Sequence, residues 1–301
     1  MDAALISIVI PYYNKVNTIH RSVKSVLNQT YSNWELILID DTSDIPLKEI
    51  FQIEDKRVQL LLNKQNSGPG PTRQRGLDIA KGEYIAFLDA DDWWEHDFLM
   101  KQMETLRNEH YAIASWCPAI IYTDKSKEGE LRRYNEINHQ NLTYALLKYG
   151  HSIQTSAFLW RKKLCGKWGD LSTNQDSFFE FSSSIINAKI VKTDVVLLLR
   201  DETGEDHRSK YVNKDRIYLN TFKLYSSVFD LHNSSFSCKH RILLFHRFLV
   251  AYHKVLINTG VSPYKEFKAR YRFVSWCLGE RKFLIKLVIK LLSYTPFRFH
   301  Y

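Results

Sequence analysis

The sequence has 301 residues, of which 45% are hydrophobic and 25% are charged, proportions that are ordinary for a folded globular protein. It contains no repeat of fixed period and no low-complexity stretch, which excludes a solenoid and a disordered chain. No run of about 18 apolar residues is present, so the sequence predicts no membrane-spanning helix. Its cysteines are few and scattered, and we expect a cytoplasmic protein of a reducing compartment.

The net charge of +9 is concentrated in the last fifth of the chain, where residues 239–301 hold 13 Lys or Arg and 2 acidic residues. Such a segment favours an anionic partner, which can be a membrane, a nucleic acid or a phosphorylated acceptor. Lys282, Lys286 and Lys290 recur every four residues among apolar neighbours. This pattern fits a helix lying on an anionic bilayer, or one docked on the protein with its lysines in solvent.

Strand and helix patterns alternate in the first third of the chain, which predicts a mostly parallel sheet with helices on both faces. In such sheets ligands bind beyond the carboxyl ends of the strands. The predicted elements are a strand at Ser7–Ile10, a helix at Asn17–Asn28, strands at Leu36–Ile39 and Val58–Leu62, a helix at Thr72–Ala80 and a strand at Tyr84–Leu88.

The middle third is less regular. It predicts strands at Ala112–Tyr122, Ser156–Trp160 and Ile190–Leu199 and a helix at Asp176–Asn187. Beyond about residue 211 the pattern becomes helical and basic.

The sharpest signal for chemistry is Asp89-Ala90-Asp91-Asp92, directly after a predicted strand. Carboxylates this close together repel one another unless a cation neutralises them. Oxygen-rich sites suit Mg²⁺ or Mn²⁺, which also bridge diphosphate oxygens. The alternative is a solvated turn, or the N-cap of a helix that begins at about Trp93.

Two further segments at strand ends carry candidate ligands. Asp40, at the end of the second predicted strand, suits a ribose hydroxyl or a base N–H, or it caps a turn. The Gly/Pro-rich loop Asn66–Gly76 runs into a helix, so its backbone N–H groups suit an anion, and Arg73 and Arg75 add positive charge. An ordinary connection between a strand and a helix is the alternative for this loop.

In their order along the chain, these segments resemble the family-2 glycosyltransferases, which have the GT-A fold. The resemblance rests on Ser7–Asn14, Glu35–Ser43, Asn66–Gly76 and Gly82–Asp92. It implies an α/β, Rossmann-like, mostly parallel sheet flanked by helices. It also implies a catalytic domain over 1–212, with 1–110 on the nucleotide-sugar side and 111–212 on the acceptor side, and a basic helical region over 213–301.

The family pattern implies roles for the matching residues. Those expected to bind the nucleotide sugar are Pro11, Tyr12, Asn14, Asp40, Arg73, Asp89, Ala90 and Asp91. Within the DXD motif, Asp89 would face the ribose, and Asp91 would face a Mn²⁺ or Mg²⁺ ion. The chain departs from the family at Thr72 and Gln74, where the family usually has Ala and Asn.

The resemblance also implies a catalytic base on the acceptor side. The family usually has a Glu-Asp pair before a helix, and Asp176 matches its aspartate, with Gln175 in place of the glutamate. Asp176 could instead cap the helix, and Asp170 is the alternative base. His207 lies where some relatives carry a histidine, so it is either a metal ligand or a solvated side chain.

The implied activity is transfer of a sugar, with inversion, from a nucleotide diphosphate sugar to an acceptor hydroxyl in surface polysaccharide synthesis. A UDP-sugar donor, a glycan or lipid-linked acceptor, and peripheral contact with the inner face of the plasma membrane are expected, and no nucleic acid. Two other classes stay open: a nucleic-acid-binding protein whose basic tail stacks aromatic side chains on bases, and a nucleotidyltransferase on a similar sheet.

Overall fold

The computed structural model describes residues 3–52, 54–123, 128–131, 142–150, 153–184, 188–202 and scattered positions from 217 to 251. The chain divides into two compact units, Met1–Lys210 and Tyr211–Tyr301. The described positions of the second unit are helical apart from Phe236 and Ser237. Within these described residues, no helix has the length and hydropathy needed to cross a membrane. His207 and the lysine-bearing segment 281–301 lie outside them.

Helices and strands alternate through the first unit. In chain order they are β1 (Ile6–Tyr12), α1 (Val16–Leu27), β2 (Trp34–Asp40), α2 (Leu47–Ile50), β3 (Val58–Leu62), α3 (Pro69–Ile79), β4 (Tyr84–Phe87), β5 (Asp92–Trp94), α4 (Phe98–Asn108), β6 (Ala112–Trp116), β7 (Ala119–Tyr122), β8 (Glu130–Leu131), α5 (Leu142–Tyr149), β9 (Phe158–Arg161), α6 (Gln175–Ser183), β10 (Lys189–Lys192) and β11 (Leu198–Asp201).

The main sheet has seven strands in the order β10-β6-β9-β4-β1-β2-β3, and all neighbours are parallel except β9, which is antiparallel to β4 and β6. β1 and β2 are apolar along most of their length and largely buried, as parallel strands covered on both faces require. They pair in register from Ile6 opposite Trp34 to Tyr12 opposite Asp40. Since β4 also runs parallel to β1, the carboxyl ends of these three strands meet at one edge.

The predicted fold class is confirmed: the first unit is an α/β structure built on a large, mostly parallel sheet with flanking helices. Two single strands predicted in the middle third are wrong, because each is two strands in different sheets. β7 and β11 belong to a smaller sheet in the order β5-β11-β7-β8, whereas β6 and β10 pair in the main sheet. The proposed helix from Trp93 is also wrong, since Asp92–Trp94 is a strand and the helix begins at Phe98.

Candidate active site

The carboxyl edge of the main sheet carries the candidate site. Three non-glycine residues with positive φ in the described structure lie in loops that carry predicted site residues: Asn14 (51°) after β1, Thr42 (65°) after β2, and Asn174 (60°) just before α6. Positive φ is uncommon for side chains other than glycine, and above all for β-branched Thr42. The strain at Thr42 is of the kind that concentrates at functional sites, and Thr42 lies in the loop that follows Asp40.

Arg73 joins the two ends of the predicted site. Its Nη2 donates a hydrogen bond to Asp89 Oδ1, and its Nη1 lies 3.5 Å from Asp176 Oδ1. Asp89 follows β4, whereas Asp176 is in the first turn of α6. The structure therefore brings together a residue predicted on the donor side and the predicted catalytic base. The N-cap residue of α6 is Asn174, and Asp176 lies in the first turn of the helix.

The guanidinium of Arg73 is held in a buried position. The residue is 5% exposed, and its guanidinium carbon lies 4.7 Å from the ring centroid of Trp168. Burial opposes the charged form, but the carboxylates of Asp89 and Asp176 outweigh it and raise the pKa of Arg73. Arg73 is therefore a fixed cation between two carboxylates.

The ring of Trp168 is in turn fixed by other aromatic side chains. It stacks on Phe179 at 4.4 Å between centroids and meets Phe87 edge-on at 5.0 Å. Since Phe87 is in β4 and Phe179 is in α6, this packing links the strand that leads to Asp89 with the helix that carries Asp176. It limits the movement of the two carboxylates relative to each other.

Asp91 is bound by two cations from the α1 region. Its Oδ2 lies 3.3 Å from Lys15 Nζ, and its backbone carbonyl accepts a hydrogen bond of 3.1 Å from Arg21 Nη2. Arg21 also donates to Asp201 Oδ2 in β11 and stacks over the ring of Trp93 at 3.7 Å. Arg21 of α1 therefore links the backbone of the DXD motif to the smaller sheet.

Asp92 is buried beneath the motif. Its Oδ2 accepts a hydrogen bond of 2.6 Å from Ser156 Oγ, and its Oδ1 lies 3.9 Å from Arg200 Nε. Burial raises the pKa of Asp92 to about 8, partly offset by Arg200 and reinforced by the neighbouring carboxylates Asp89 and Asp91. Ser156 Oγ also accepts from the backbone N–H of Asp89, so this residue ties the motif to the segment before β9.

Asp40 organises the loop after β2. Its Oδ1 accepts from the backbone N–H of Ser43 at 2.8 Å, and its Oδ2 accepts from that of Leu47 at 2.9 Å. Next to it, the hydroxyl of buried Tyr12 donates to the carbonyl of Ile45. These bonds fit the turn-capping interpretation of Asp40, and its contact with a base stays a prediction.

Asn14 is held in the same loop region. Asn14 Nδ2 donates to Asp44 Oδ2 at 2.9 Å, and Asn14 Oδ1 accepts from the backbone N–H of Asp44 at 2.8 Å. Pro11 and Ala90, the remaining predicted donor-side residues, lie in β1 and within the DXD turn. Asp170, the alternative base, is exposed in the segment between β9 and α6.

Asp41 binds the Gly/Pro-rich loop, a role that sequence reasoning missed. Its Oδ1 accepts from Asn63 Nδ2 and from the backbone N–H of Ser67, and its Oδ2 accepts from that of Gly68. Gly68 has a φ of 84°, which glycine adopts without steric cost. The adjacent acidic residues signalled the site, but pattern alone cannot assign such contacts between loops.

The two departures from the family pattern take part in this network. Thr72 Oγ1 donates to the carbonyl of Gly68 and accepts from Asn63 Nδ2. Gln74 Oε1 accepts from the backbone N–H of Trp168 at 2.8 Å, so helix α3 holds the segment that leads to Asp176. Lys15 and Trp168 are the other site residues that sequence reasoning missed. Lys15 directly follows the recognised segment Ser7–Asn14, whereas Trp168 is far from all four segments.

The comparisons with known proteins identify the family. The model of the family described as "Glycosyl transferase family 2" matches residues 7–168, which is more than half of the chain. The chain therefore belongs to this family, and the resemblance seen in its sequence is confirmed. The matched range contains the DXD motif, Arg73 and the helix α3 that positions it.

Two curated relatives come from Escherichia coli, and both are named UDP-Glc:alpha-D-GlcNAc-diphosphoundecaprenol beta-1,3-glucosyltransferase. WfgD is 42% identical over 107 residues, which are 35% of this chain and 42% of that protein. WfaP is 37% identical over 146 residues, which are 48% of this chain and 56% of that protein. The chain thus spans about half of the length of each of these relatives.

Among solved structures, the crystal structure of S. aureus TarS 1-349 in complex with UDP-GlcNAc has a TM-score of 0.66 with this chain. The sequences are 17% identical, and the match covers 90% of this chain and 81% of that one. At this identity the likeness concerns the fold, which is the GT-A fold expected from the sequence.

Proposed function

We propose that the protein transfers a sugar, with inversion, from a nucleotide diphosphate sugar to an acceptor hydroxyl. The observation that carries the proposal is the bridge of Arg73 between Asp89 of the DXD motif and Asp176 of α6. For displacement, the attacking hydroxyl oxygen and the anomeric carbon of the bound donor must lie within about 3–3.5 Å of each other. A bridge that joins the donor-side motif to the candidate base supports this activity better than it supports a binding protein.

A UDP-sugar is the proposed donor. The two E. coli relatives are named for UDP-Glc, and the TarS structure contains UDP-GlcNAc. Pro11, Tyr12, Asn14 and Asp40 would line the side of the site that takes the base, and Asp89 would take the ribose. Beyond residue 251 the basic aromatic tail of the nucleic-acid alternative lies outside the described residues, and no observation on the described residues favours that class.

A Mn²⁺ or Mg²⁺ ion fits the chemistry of the DXD motif. Among the described residues no three His, Cys, Asp or Glu side chains form a complete cage. Mg²⁺ sites of nucleotide enzymes rarely need one, since one or two carboxylates suffice when phosphate oxygens and water supply the rest. Asp91 would hold the ion, which would supply positive charge to the leaving diphosphate. A contribution from His207 stays a prediction.

Asp176 is the proposed general base. Its side chain is 37% exposed, so an acceptor hydroxyl can reach it from solvent. Asp176 would take the proton of that hydroxyl as its oxygen attacks the anomeric carbon from the side opposite the diphosphate. Arg73 fixes the carboxylate, and the first turn of α6 sets its direction. Asp89 would hold the donor through its ribose.

A lipid-linked glycan is the proposed acceptor, and glycan assembly is the proposed process. The names of both E. coli relatives specify a sugar on diphosphoundecaprenol. The 13 basic residues of segment 239–301 would favour an anionic membrane surface, where such an acceptor resides. Peripheral attachment to that surface is part of the proposal.

Isothermal titration calorimetry tests the proposal most directly. UDP, UDP-Glc and UDP-GlcNAc are titrated into the protein with Mn²⁺ and then with excess EDTA, and GDP and dTDP serve as matched nucleotides. We expect binding of a uridine nucleotide that weakens on removal of the ion, and release of UDP from the sugar nucleotide once a lipid-linked glycan acceptor is added. Absence of Mn²⁺-assisted affinity for every sugar nucleotide would contradict the proposed function.

A further inference from the structure

Lys15 lies immediately before α1, and its ammonium group is placed on the DXD motif. Lys15 Nζ and Asp91 Oδ2 are 3.3 Å apart, and the two side chains are 19% and 26% exposed. The pair is thus partly shielded from water, although it lies at the edge of the sheet where the donor is expected. Partial burial makes such a pair stronger than one on the open surface.

Arg73 and Lys15, which contact the carboxylates of Asp89 and Asp91, differ in the flexibility of their side chains. Arg73 is buried, binds Asp89, and lies over the ring of Trp168. Lys15 has a flexible four-carbon stem and three donors that can rotate toward new acceptors. Of these two positive groups, Lys15 is therefore the one that can follow a ligand.

A divalent ion and the ammonium group of Lys15 would compete for the carboxylate of Asp91. A divalent ion bound to Asp91 would stand close to the ammonium of Lys15, and like charges repel. A diphosphate bound to the same ion brings oxygens that accept hydrogen bonds from an ammonium group. Lys15 can then leave Asp91 to the ion and bind the diphosphate instead.

We propose that Lys15 is a ligand of the donor diphosphate, and that it passes from Asp91 to the diphosphate when the donor and its divalent ion bind together. The proposal rests on the proposed function, because it assumes a nucleotide donor at this edge. It gives Lys15 two effects of opposite sign. Lys15 opposes binding of the ion alone, and it favours binding of the nucleotide with the ion. The ion and the nucleotide therefore bind cooperatively.

Substitution of Lys15 by methionine keeps most of the stem and removes the charge. Mn²⁺ alone is measured by electron paramagnetic resonance, and UDP at saturating Mn²⁺ is measured by calorimetry. For Lys15→Met we expect about tenfold tighter Mn²⁺ and about tenfold weaker UDP. Lys24→Met removes a charge from the exposed side of the same helix, and we expect it to change neither affinity. Lys15→Gln is a second neutral variant, in case the first folds poorly.

Opposite shifts in Lys15→Met or Lys15→Gln support the proposal, because a general loss of structure would weaken both affinities, and Lys24→Met controls for the loss of one positive charge at longer range. Unchanged affinities, or shifts of the same sign, would overturn it. If the wild type binds UDP with Mn²⁺ while the variants show no opposite shifts, the proposed function stands and the role of Lys15 is wrong. If the wild type binds no nucleotide, both are wrong.

Discussion

Arg73 Nη1 lies 3.5 Å from Asp176 Oδ1, although the two residues are 103 positions apart in the sequence. The same guanidinium binds Asp89 through Nη2. A planar guanidinium can serve two carboxylates at once, whereas an ammonium group acts as a point charge. We therefore expect the geometry of the candidate site to require arginine, and not lysine, at position 73.

Asp176→Asn tests the assignment of the base. An amide keeps the size of the side chain but cannot accept the proton, so we expect kcat to fall by about 10²–10⁴-fold. The affinity for UDP should stay nearly unchanged, because the proposed base contacts the acceptor. Release of UDP in a coupled assay and calorimetry measure the two quantities.

Asp170→Asn separates the two candidate bases. Asp170 is exposed, and its amide variant should keep turnover close to that of the wild type. Full activity of Asp176→Asn, or a greater loss of turnover in Asp170→Asn than in Asp176→Asn, would show that Asp176 is not the base.

Arg73→Lys and Arg73→Gln test whether the bridge needs two donors in one plane. We expect the lysine variant to retain more stability than the glutamine variant, because it keeps a cation beside Asp89 and Asp176. Both variants should have a lower kcat than the wild type, because neither a lysine nor a glutamine can hold both carboxylates. For Arg73→Gln a loss of about 1–3 kcal/mol is expected, below the range for fully buried pairs because both carboxylates are partly exposed.

Urea denaturation and steady-state kinetics measure these effects. Arg75→Lys is the matched control, because Arg75 lies in the same helix and binds the Leu62 carbonyl and the Asn63 side chain. Wild-type kcat in Arg73→Lys would show that charge alone suffices at this position.

The sequence was sufficient to predict the part of the fold that contains β1, β2 and β4, because strong local signals coincide there. Apolar runs form β1, β2 and β4, and each is followed by the polar residues that mark the edge. The prediction failed where an apolar run changes sheets. Ala112–Tyr122 has buried residues throughout most of its length, yet Cys117 and Pro118 separate β6 from β7. Hydrophobic periodicity cannot tell one buried sheet from another.

The site was predictable only in part for a related reason. Motifs within one loop, such as Asp89-Ala90-Asp91-Asp92, are visible in the sequence. The contacts that organise them join segments far apart in the chain, as Trp168 does with Arg73 and Ser156 does with Asp92. No spacing rule predicts such pairs, because their proximity depends on the packing of several elements.

Asp41→Ala tests the anchor of the Gly/Pro-rich loop. Asp41 is 3% exposed, and its carboxylate accepts from Asn63, Ser67 and Gly68, so the substitution removes three hydrogen bonds. We expect a loss of about 3 kcal/mol in the free energy of unfolding. UDP should also bind more weakly, because the loop leads directly into the helix that carries Arg73.

Asp78→Ala is the matched control, since Asp78 is exposed and accepts one side-chain bond from Gln74. Equal stability of the two variants in urea denaturation would be incompatible with an anchoring role for Asp41.

Gly76→Ala tests the contact between α3 and β1. A Cβ at this position would lie within 2.8 Å of Val9 Cγ2 and closer still to Cγ1, and Val9 is fully buried. Crowding of this kind costs about 1–3 kcal/mol. Adding Val9→Ala should recover part of that loss, because the added methyl then occupies space that the valine left. A double-mutant cycle by thermal denaturation measures the coupling, and additive effects would show that the contact relaxes freely.

Asp92→Asn tests the buried carboxyl through the pH dependence of stability. Burial raises the pKa of Asp92 to about 8, above its ordinary value in an unfolded chain. Between about pH 4 and pH 8 the folded protein retains a proton that the unfolded chain has lost. The contribution of this group to the free energy of unfolding is therefore present at low pH and decreases as the pH rises, by at most about 1.4 kcal/mol per pH unit.

The asparagine variant cannot ionise, so its stability relative to the wild type should increase from pH 4 to pH 8. Ser156 can still donate to the amide oxygen, which preserves the hydrogen bond that Asp92 accepts in the wild type. Asp194→Asn, at an exposed position, should show no such trend. If the difference in free energy of unfolding between Asp92→Asn and wild type stays constant over this range, Asp92 is ionised in the folded protein, and its partner Arg200 outweighs burial.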